Sequence, residues 1–385
     1  MVTSFLLLLL PLAAASGWLA AKRTTEGNST TLDRDRFTQD YLIGLSYLLN
    51  EQPDKAVDTF IKMLEVDNET VETHLALGAL FRRRGEVDRA IRIHQNLIAR
   101  PTLQPRQRSE ALLALGQDYL KAGVLDRAER LFLEVSDANA DYKITALIYL
   151  LDIYQQQKQW SPAIETAKKL IASHPEMKIN VAHYYCEMAQ DAQKKKQFEQ
   201  AVEYLQLALT VNPNCVRANL LLGAFEVAQG NIAAGLTAYQ QVKNQDADYL
   251  SEAITPLVIC YEQLDQADEI MTYFANCVQE KPQSAVILAL TDLTYNKLGA
   301  AAAHDFLAKQ QRKNPSIAGL AKLINLQLEC SEQQGNADLF LLQDTVNKLL
   351  KNKPNYHCEH CGFTSKVLHW LCPGCKRWES VRGVH

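Results

Sequence analysis

Charge of one sign is what this chain lacks most plainly. Its 40 lysines and arginines face 44 aspartates and glutamates, a net charge of −4. No chain-wide positive field exists to hold a phosphate backbone, so nucleic acid is not expected as a partner. Catalytic motifs are missing too. There is no G-x-S-x-G elbow, no H-E-x-x-H helix, no phosphate-binding loop and no G-x-G-x-x-G. His74, His94, His174, His183 and His304 are scattered along the chain and read as helix-surface or core residues. With no reacting constellation, the sequence reads as a binding protein, not an enzyme.

Charge is also absent from Val2–Ala21, a stretch of 20 residues. At about 1.5 Å per residue a helix of that length spans the hydrocarbon of one bilayer. No lysine or arginine precedes the stretch, while Lys22 and Arg23 follow it. A cleaved signal peptide wants the opposite order, so residues 1–21 are expected to be a transmembrane anchor. The positive-inside rule then puts the N-terminus outside and the rest of the chain in the cytoplasm. Residues 22–36 are polar and read as a juxtamembrane tether.

Between residues 37 and 351 the chain repeats. Small or apolar residues recur at Gly44, Gly78, Gly116, Leu151, Ala189, Gly223, Val258 and Thr291, in steps of 33 to 38 residues. Three positions on stand Tyr47, Phe81, Tyr119, Tyr154 and Tyr261. Twelve on stand Ala56, Ala90, Ala128, Ala163, Ala201, Gly235, Ile270 and Ala303, and sixteen on Phe60, Phe132, Leu205, Tyr239 and Phe274. This is the tetratricopeptide pattern of a helix-turn-helix about 34 residues long. Small residues let paired helices approach, and large ones fill the gap to the next pair. Gly85, Gly123 and Asp265 mark the turns. The fold class is therefore all-α, a superhelical solenoid of eight repeats with a further partial pair in 318–351. The longer steps place insertions at Arg100–Ser109 and around Ser173–Asn180, both expected as loops.

Residues 352–385 form a separate module. Cys358-x2-Cys361 and Cys372-x2-Cys375 are two knuckles that aim four thiolates at one point, a tetrahedron suited to one iron or zinc ion. Gly362 and Gly374 supply backbone freedom. A module this small needs the ion in order to fold. Reduced thiolates also place this end in a reducing compartment. Electron transfer by iron is the other reading, but no flavin, haem or second cluster motif accompanies it. His357, His360 and His369 flank the knuckles and read as supporting or surface groups. Tyr356, Phe363, Trp370 and Trp378 are expected to form the module's apolar set, some of them docking it on the last repeats. Cys186, Cys215, Cys260, Cys277 and Cys330 lack metal spacing and read as buried thiols.

Arginines crowd one region: Arg82, Arg83, Arg84, Arg89, Arg92, Arg100, Arg106 and Arg108. A solvated face with Glu86 and Asp88 as partners is one reading. A docking patch for an acidic segment or anionic lipid is the other.

The N-terminal anchor, repeats reading FRRRGEVDRAIRIHQ and a tail reading CEHCGFTSKVLHWLCPGCKRW together closely resemble the lipopolysaccharide assembly protein B family of Gram-negative bacteria. The resemblance covers the whole chain, most closely residues 37–132 and 356–382. It implies a rubredoxin-like metal module with Cys358, Cys361, Cys372 and Cys375 as ligands. It also implies a single-pass inner-membrane adaptor facing the cytoplasm. Such an adaptor restrains lipopolysaccharide synthesis by presenting the lipid A pathway deacetylase to a membrane-bound AAA+ metalloprotease, and an inner-membrane protein antagonises it. A scaffold for lipopolysaccharide synthesis and export proteins is the alternative.

Overall fold

The computed structural model describes residues 42–47, 52, 55, 56, 59, 71–101, 103–330 and 337–384. The anchor and tether expected over residues 1–36 lie outside them. Among the described residues no helix is long and apolar enough to cross a membrane.

After a helical segment at 42–47, helices follow in antiparallel pairs. They are α1 (Val71–Arg84) with α2 (Val87–Ile98) and α3 (Pro105–Lys121) with α4 (Leu125–Ala138); α5 (Ala140–Gln156) and α6 (Trp160–Leu170) follow in the chain. Next come α7 (Met177–Lys194) with α8 (Phe198–Val211), and α9 (Val216–Ala228) with α10 (Ile232–Gln245). A 3-10 turn, Ala247–Tyr249, precedes α11 (Leu250–Gln263) with α12 (Ala267–Glu280). The last pairs are α13 (Ser284–Leu298) with α14 (Ala300–Lys313) and α15 (Ile317–Cys330) with α16 (Ala337–Asn352). The ribbon follows as β1 (Tyr356–Cys358), β2 (Thr364–Ser365) and β3 (Val381–Gly383). The chain divides into two compact units, residues 1–153 and 154–385.

The repeat columns have direct packing causes. Ala56, Ala90, Ala128, Ala163, Ala201 and Ala303 are all fully buried. A methyl group on Gly116 would come 2.6 Å from the Phe132 ring, and one on Gly223 2.7 Å from the Tyr239 ring. The small residue of each first helix is thus the seat for the large residue sixteen positions later. Gly78 seats His94 in the same way. His94 takes the place that Phe132 and Tyr239 hold in their own repeats.

The turns inside the pairs share one backbone device. Gly85, Gly123 and Gly230 have φ between 76° and 86°, and Lys158, Lys196 and Asp265 take φ of 57°, 62° and 57° at the equivalent places, whereas Gly299, with φ 87° and ψ 176°, makes a different turn. The residue after the turn donates its N–H back across it, as in Val124 N to Tyr119 O at 2.9 Å and Gln266 N to Tyr261 O at 2.9 Å. That bond closes a Schellman cap. Lysine and aspartate adopt the left-handed conformation because the cap and the packing of both helices demand it, so the turn persists where glycine is absent.

The two expected loop insertions are shorter than proposed. Helix α3 begins at Pro105, not after Ser109, because proline at the first helical position loses no hydrogen bond. Helix α7 begins at Met177. Much of the extra length is absorbed into helices of 17 and 18 residues.

Within the first unit a buried polar group replaces apolar packing. Asp118 is fully buried and accepts from Arg82 Nη1 at 2.7 Å. Its other oxygen pairs with His94 Nδ1. Arg82 also donates to Gln117 Oε1 at 2.7 Å.

Gly116→Ala is expected to destabilise the chain by about 1–3 kcal/mol through overpacking against buried Phe132. Gly123→Ala meets nothing within 4 Å and suffers only the left-handed backbone, about 1–2 kcal/mol. Urea unfolding checks both. A Gly116→Ala midpoint equal to wild type would remove the close-approach argument.

Candidate metal centre

The ribbon is a three-stranded antiparallel sheet ordered β2-β1-β3. Cys358 ends β1, and Cys361 lies in the turn before β2. The second knuckle, Cys372–Cys375, is anchored by the Cys372 N–H donating to Arg377 O at 2.9 Å. The knuckles are matched. Gly362 N donates to Cys358 O and Lys376 N donates to Cys372 O, both at 2.9 Å. Gly362 and Lys376, each directly after the second cysteine of its knuckle, have φ of 74° and 58°. Gly374 serves differently from Gly362. It does not take positive φ, and a methyl there would press within 3.2 Å of Cys361 Sγ. Its missing side chain leaves room for sulfur.

All four sulfurs lie within 4.8 Å of one another. Cys358 and Cys375 are 3.7 Å apart, Cys361 and Cys372 3.6 Å. A disulfide needs about 2.05 Å. A tetrahedron of sulfurs about 2.3 Å from zinc has edges of about 3.8 Å, so the donor set fits one ion. None of the flanking histidines joins the cluster. His369 Nε2 instead lies 3.2 Å from Ser365 Oγ.

Electrostatics favours a cation here. Burial pushes the Cys358 thiol up, but hydrogen bonding with Ser380 and with the backbone of Cys361 and His360 holds it down to about 6. The Phe363 amide acts to lower Cys361, yet local desolvation and the neighbouring sulfurs push it up to about 11. The first thiolate formed thus opposes the next. A divalent cation removes that opposition.

The aromatic set divides between two tasks. Tyr356 and Phe363 pack on the ribbon's own core of Cys358, Cys372 and Val381. The two tryptophans face the repeats. Trp378 stacks on His183 at 4.6 Å, and its Nε1–H donates to Gln155 Oε1 at 2.9 Å. Trp370 stacks on Tyr249 at 5.3 Å. The Arg217 guanidinium lies 5.8 Å from the Trp378 ring and donates to Glu187 at 2.8 Å. Arg382 reaches Asp246 at 2.9 Å and Asp248 at 3.2 Å. The Tyr249 hydroxyl donates to Val381 O at 3.1 Å, and the Tyr356 hydroxyl to Glu252 at 2.6 Å.

Docking is therefore centred on residues 155–252, earlier than the last repeats where it was expected. The later repeats contribute less: Ser284, Pro315 and Leu350 line a cavity with Tyr356 and Val384. The cause is the direction of the tryptophans, which meet His183 and Tyr249. Spacing alone carried no signal for Gln155, His183, Asp246, Tyr249 or Arg382. Their roles arise from chain segments more than 130 residues apart.

His183 is wholly buried, and burial lowers its pKa. Its Nε2 lies 3.0 Å from Glu379 Oε1. Neutral imidazole makes Nε2–H the donor, and Nδ1 is left without a partner. Cys186 and Cys215 are buried with sulfurs 4.0 Å apart. Burial, and then its neighbour Cys215, push the Cys186 thiol well up. Cys260 and Cys277 are buried as well. The Cys330 side chain lies outside the description.

The arginines differ in their surroundings. Arg82 is engaged with Asp118. Arg89 pairs with Glu86 and lies 5.9 Å from the Phe81 ring. Arg83, Arg84, Arg92, Arg106 and Arg108 are exposed, and Arg100 is half-buried. Arg106 hydrogen-bonds Tyr142.

A family model described as a rubredoxin metal binding domain matches residues 356–382. Tetratricopeptide repeat models match residues 73–109 and 186–249. Lipopolysaccharide assembly protein B of Escherichia coli (strain K12) is 37% identical over 381 residues, covering 98% of this chain and 97% of its own length. The protein of the same name from Haemophilus influenzae is 37% identical over 390 residues, covering 98% of both chains.

Trp378→Ala removes the stacking on His183 and the bond to Gln155. It is expected to weaken docking by about 3–5 kcal/mol while leaving the four cysteines in place. Hydrogen exchange should rise on both faces of the contact, at 155–190 and 376–382. Unchanged protection there would mean that docking does not depend on this side chain.

Proposed function

The chain belongs to the lipopolysaccharide assembly protein B family, and we propose that it is an inner-membrane adaptor restraining lipopolysaccharide synthesis. In this reading it presents the lipid A pathway deacetylase to a membrane-bound AAA+ metalloprotease, and another inner-membrane protein antagonises it. The carrying observation is likeness over nearly the whole length to relatives named for lipopolysaccharide assembly, combined with a repeat body and a docked ribbon. The repeats offer surface for binding a protein segment. The adaptor role requires no reacting centre.

Each part has a task in the proposal. Residues 1–21 span the inner membrane with the N-terminus in the periplasm, and the body faces the cytoplasm. Confinement to the bilayer raises effective concentration, so weak contacts suffice. Cys358, Cys361, Cys372 and Cys375 hold one iron or zinc ion. That ion supplies charge neutralisation and a cross-link, not a reaction. The ribbon then braces helices α7 and α9 and the 3-10 turn before α11 through Trp378, Trp370 and Arg382. Exposed Arg83, Arg84, Arg92, Arg106 and Arg108 meet an acidic partner segment.

The half-life of the deacetylase, followed after translation arrest, tests the role. It should lengthen several-fold when this chain is absent or carries Cys361→Ser with Cys372→Ser. An unchanged half-life in cells lacking the chain would sink the adaptor and favour a scaffold that gathers synthesis and export proteins.

Reversing Arg83, Arg92 and Arg106 to glutamate should leave unfolding nearly unchanged, since exposed ion pairs contribute about 0–1 kcal/mol. Co-purification of protease and deacetylase should drop sharply, and wild-type binding should weaken with salt. Full co-purification by the folded triple variant would return these arginines to a solvated face.

A further inference from the structure

Where the ribbon meets the repeats, His183, Cys215 and Glu379 bring a nitrogen, a sulfur and an oxygen donor within 4.8 Å of one another. We propose that these three side chains form a second metal site, for a borderline-soft divalent cation such as zinc, which staples the ribbon to the repeat body.

The donors come from three separate elements. His183 projects from α7, Cys215 is the residue before α9, and Glu379 lies in the ribbon loop before β3. Mixed imidazole, thiolate and carboxylate donors suit zinc. His183 and Cys215 are fully excluded from solvent, and Glu379 is half-buried. The His183 imidazole has a buried Nδ1 with no hydrogen-bond partner, while its Nε2 already holds the Glu379 carboxylate at 3.0 Å. A cation in the cluster binds at Nε2, moves the imidazole proton to Nδ1 and joins imidazole and carboxylate directly. Cys186, one helical turn after His183 on α7, places a further sulfur 4.0 Å from Cys215 Sγ. A fourth ligand group is thus within reach.

The charges around the site agree. Arg217 is the cation facing it, and Glu187 offsets that charge at 2.8 Å. Glu379 and a Cys215 thiolate then leave a double negative charge, matching a divalent ion. Binding releases the Cys215 thiol proton, so the step balances without an oxidant. Glu379 also keeps an αL backbone, φ 52°, which residues other than glycine rarely adopt. The ribbon loop holds it there.

The test is metal stoichiometry on the purified, reduced full chain, stripped of metal and titrated with Zn2+, with Co2+ as the optical probe. Wild type should bind two equivalents. One should give the absorption of a four-thiolate cobalt site, the other that of a mixed nitrogen, sulfur and oxygen site. Cys215→Ser, His183→Gln and Glu379→Gln should each lose the mixed-donor equivalent and keep the four-thiolate one. Glu379→Gln is partly exposed and retains a hydrogen-bonding side chain, so it is the variant least able to fail by unfolding. A mixed-donor spectrum without the four-thiolate spectrum would support the second site while sinking the ribbon site. Wild-type binding that stops at one four-thiolate equivalent would overturn the proposal. So would a mixed-donor equivalent that survives in all three variants.

Discussion

Four sulfurs crowded within 4.8 Å are the constraint on which the C-terminal part of the molecule depends. The ribbon has strands of three, two and three residues, and its buried core is little more than Cys358, Cys372 and Val381. So small a core cannot offset the conformational entropy of ordering the chain. The sulfur cluster with a cation supplies the missing cross-link. Once the knuckles are set, Lys376 and Glu379 are held in left-handed backbone, and the intervening Trp378 meets the repeats as a rigid wedge.

The surface that receives the wedge is unusual for a repeat protein. Arg217, His183 and Asn219 are buried there, alongside Tyr184 and Tyr249. Two Arg217 nitrogens have no hydrogen-bond partner. The aromatic face of Trp378 partly compensates the guanidinium by a cation–π contact. Polar groups placed so deeply are costly when uncovered. The repeats and the ribbon therefore complete each other, and the ribbon is part of the body rather than an appendage.

A parallel substitution of polar for apolar packing occurs in the first unit. His94 stands where other repeats place an aromatic or leucine; its Nδ1 pairs with Asp118, which also accepts from Arg82. The small seat at Gly78 is retained. Close helix approach is thus the invariant of the repeat, and the chemistry of the side chain filling the seat is free to vary. Because Arg82 serves this network, a run of three arginines that looks uniform in sequence carries two different tasks.

The sequence by itself determined the helical repeat, because the small and large columns are spaced by helix geometry that no distant contact changes. It determined the four-sulfur cluster, because each knuckle is local. It resembled the right family, since the clearest repeats and the ribbon are contiguous motifs. Tertiary structure alone decided where the ribbon docks, since Gln155, His183, Asp246 and Tyr249 are specified by no local pattern. It also decided that Lys158, Lys196 and Asp265 turn as glycine does, because the cap and the flanking helices outweigh their own backbone preference. Pro105, inside a segment expected as a loop, became a helix start: its role depends on whether a helix packs after it. Local spacing fixes what a segment becomes. Which side chains meet across the chain depends on how many such segments stack between them.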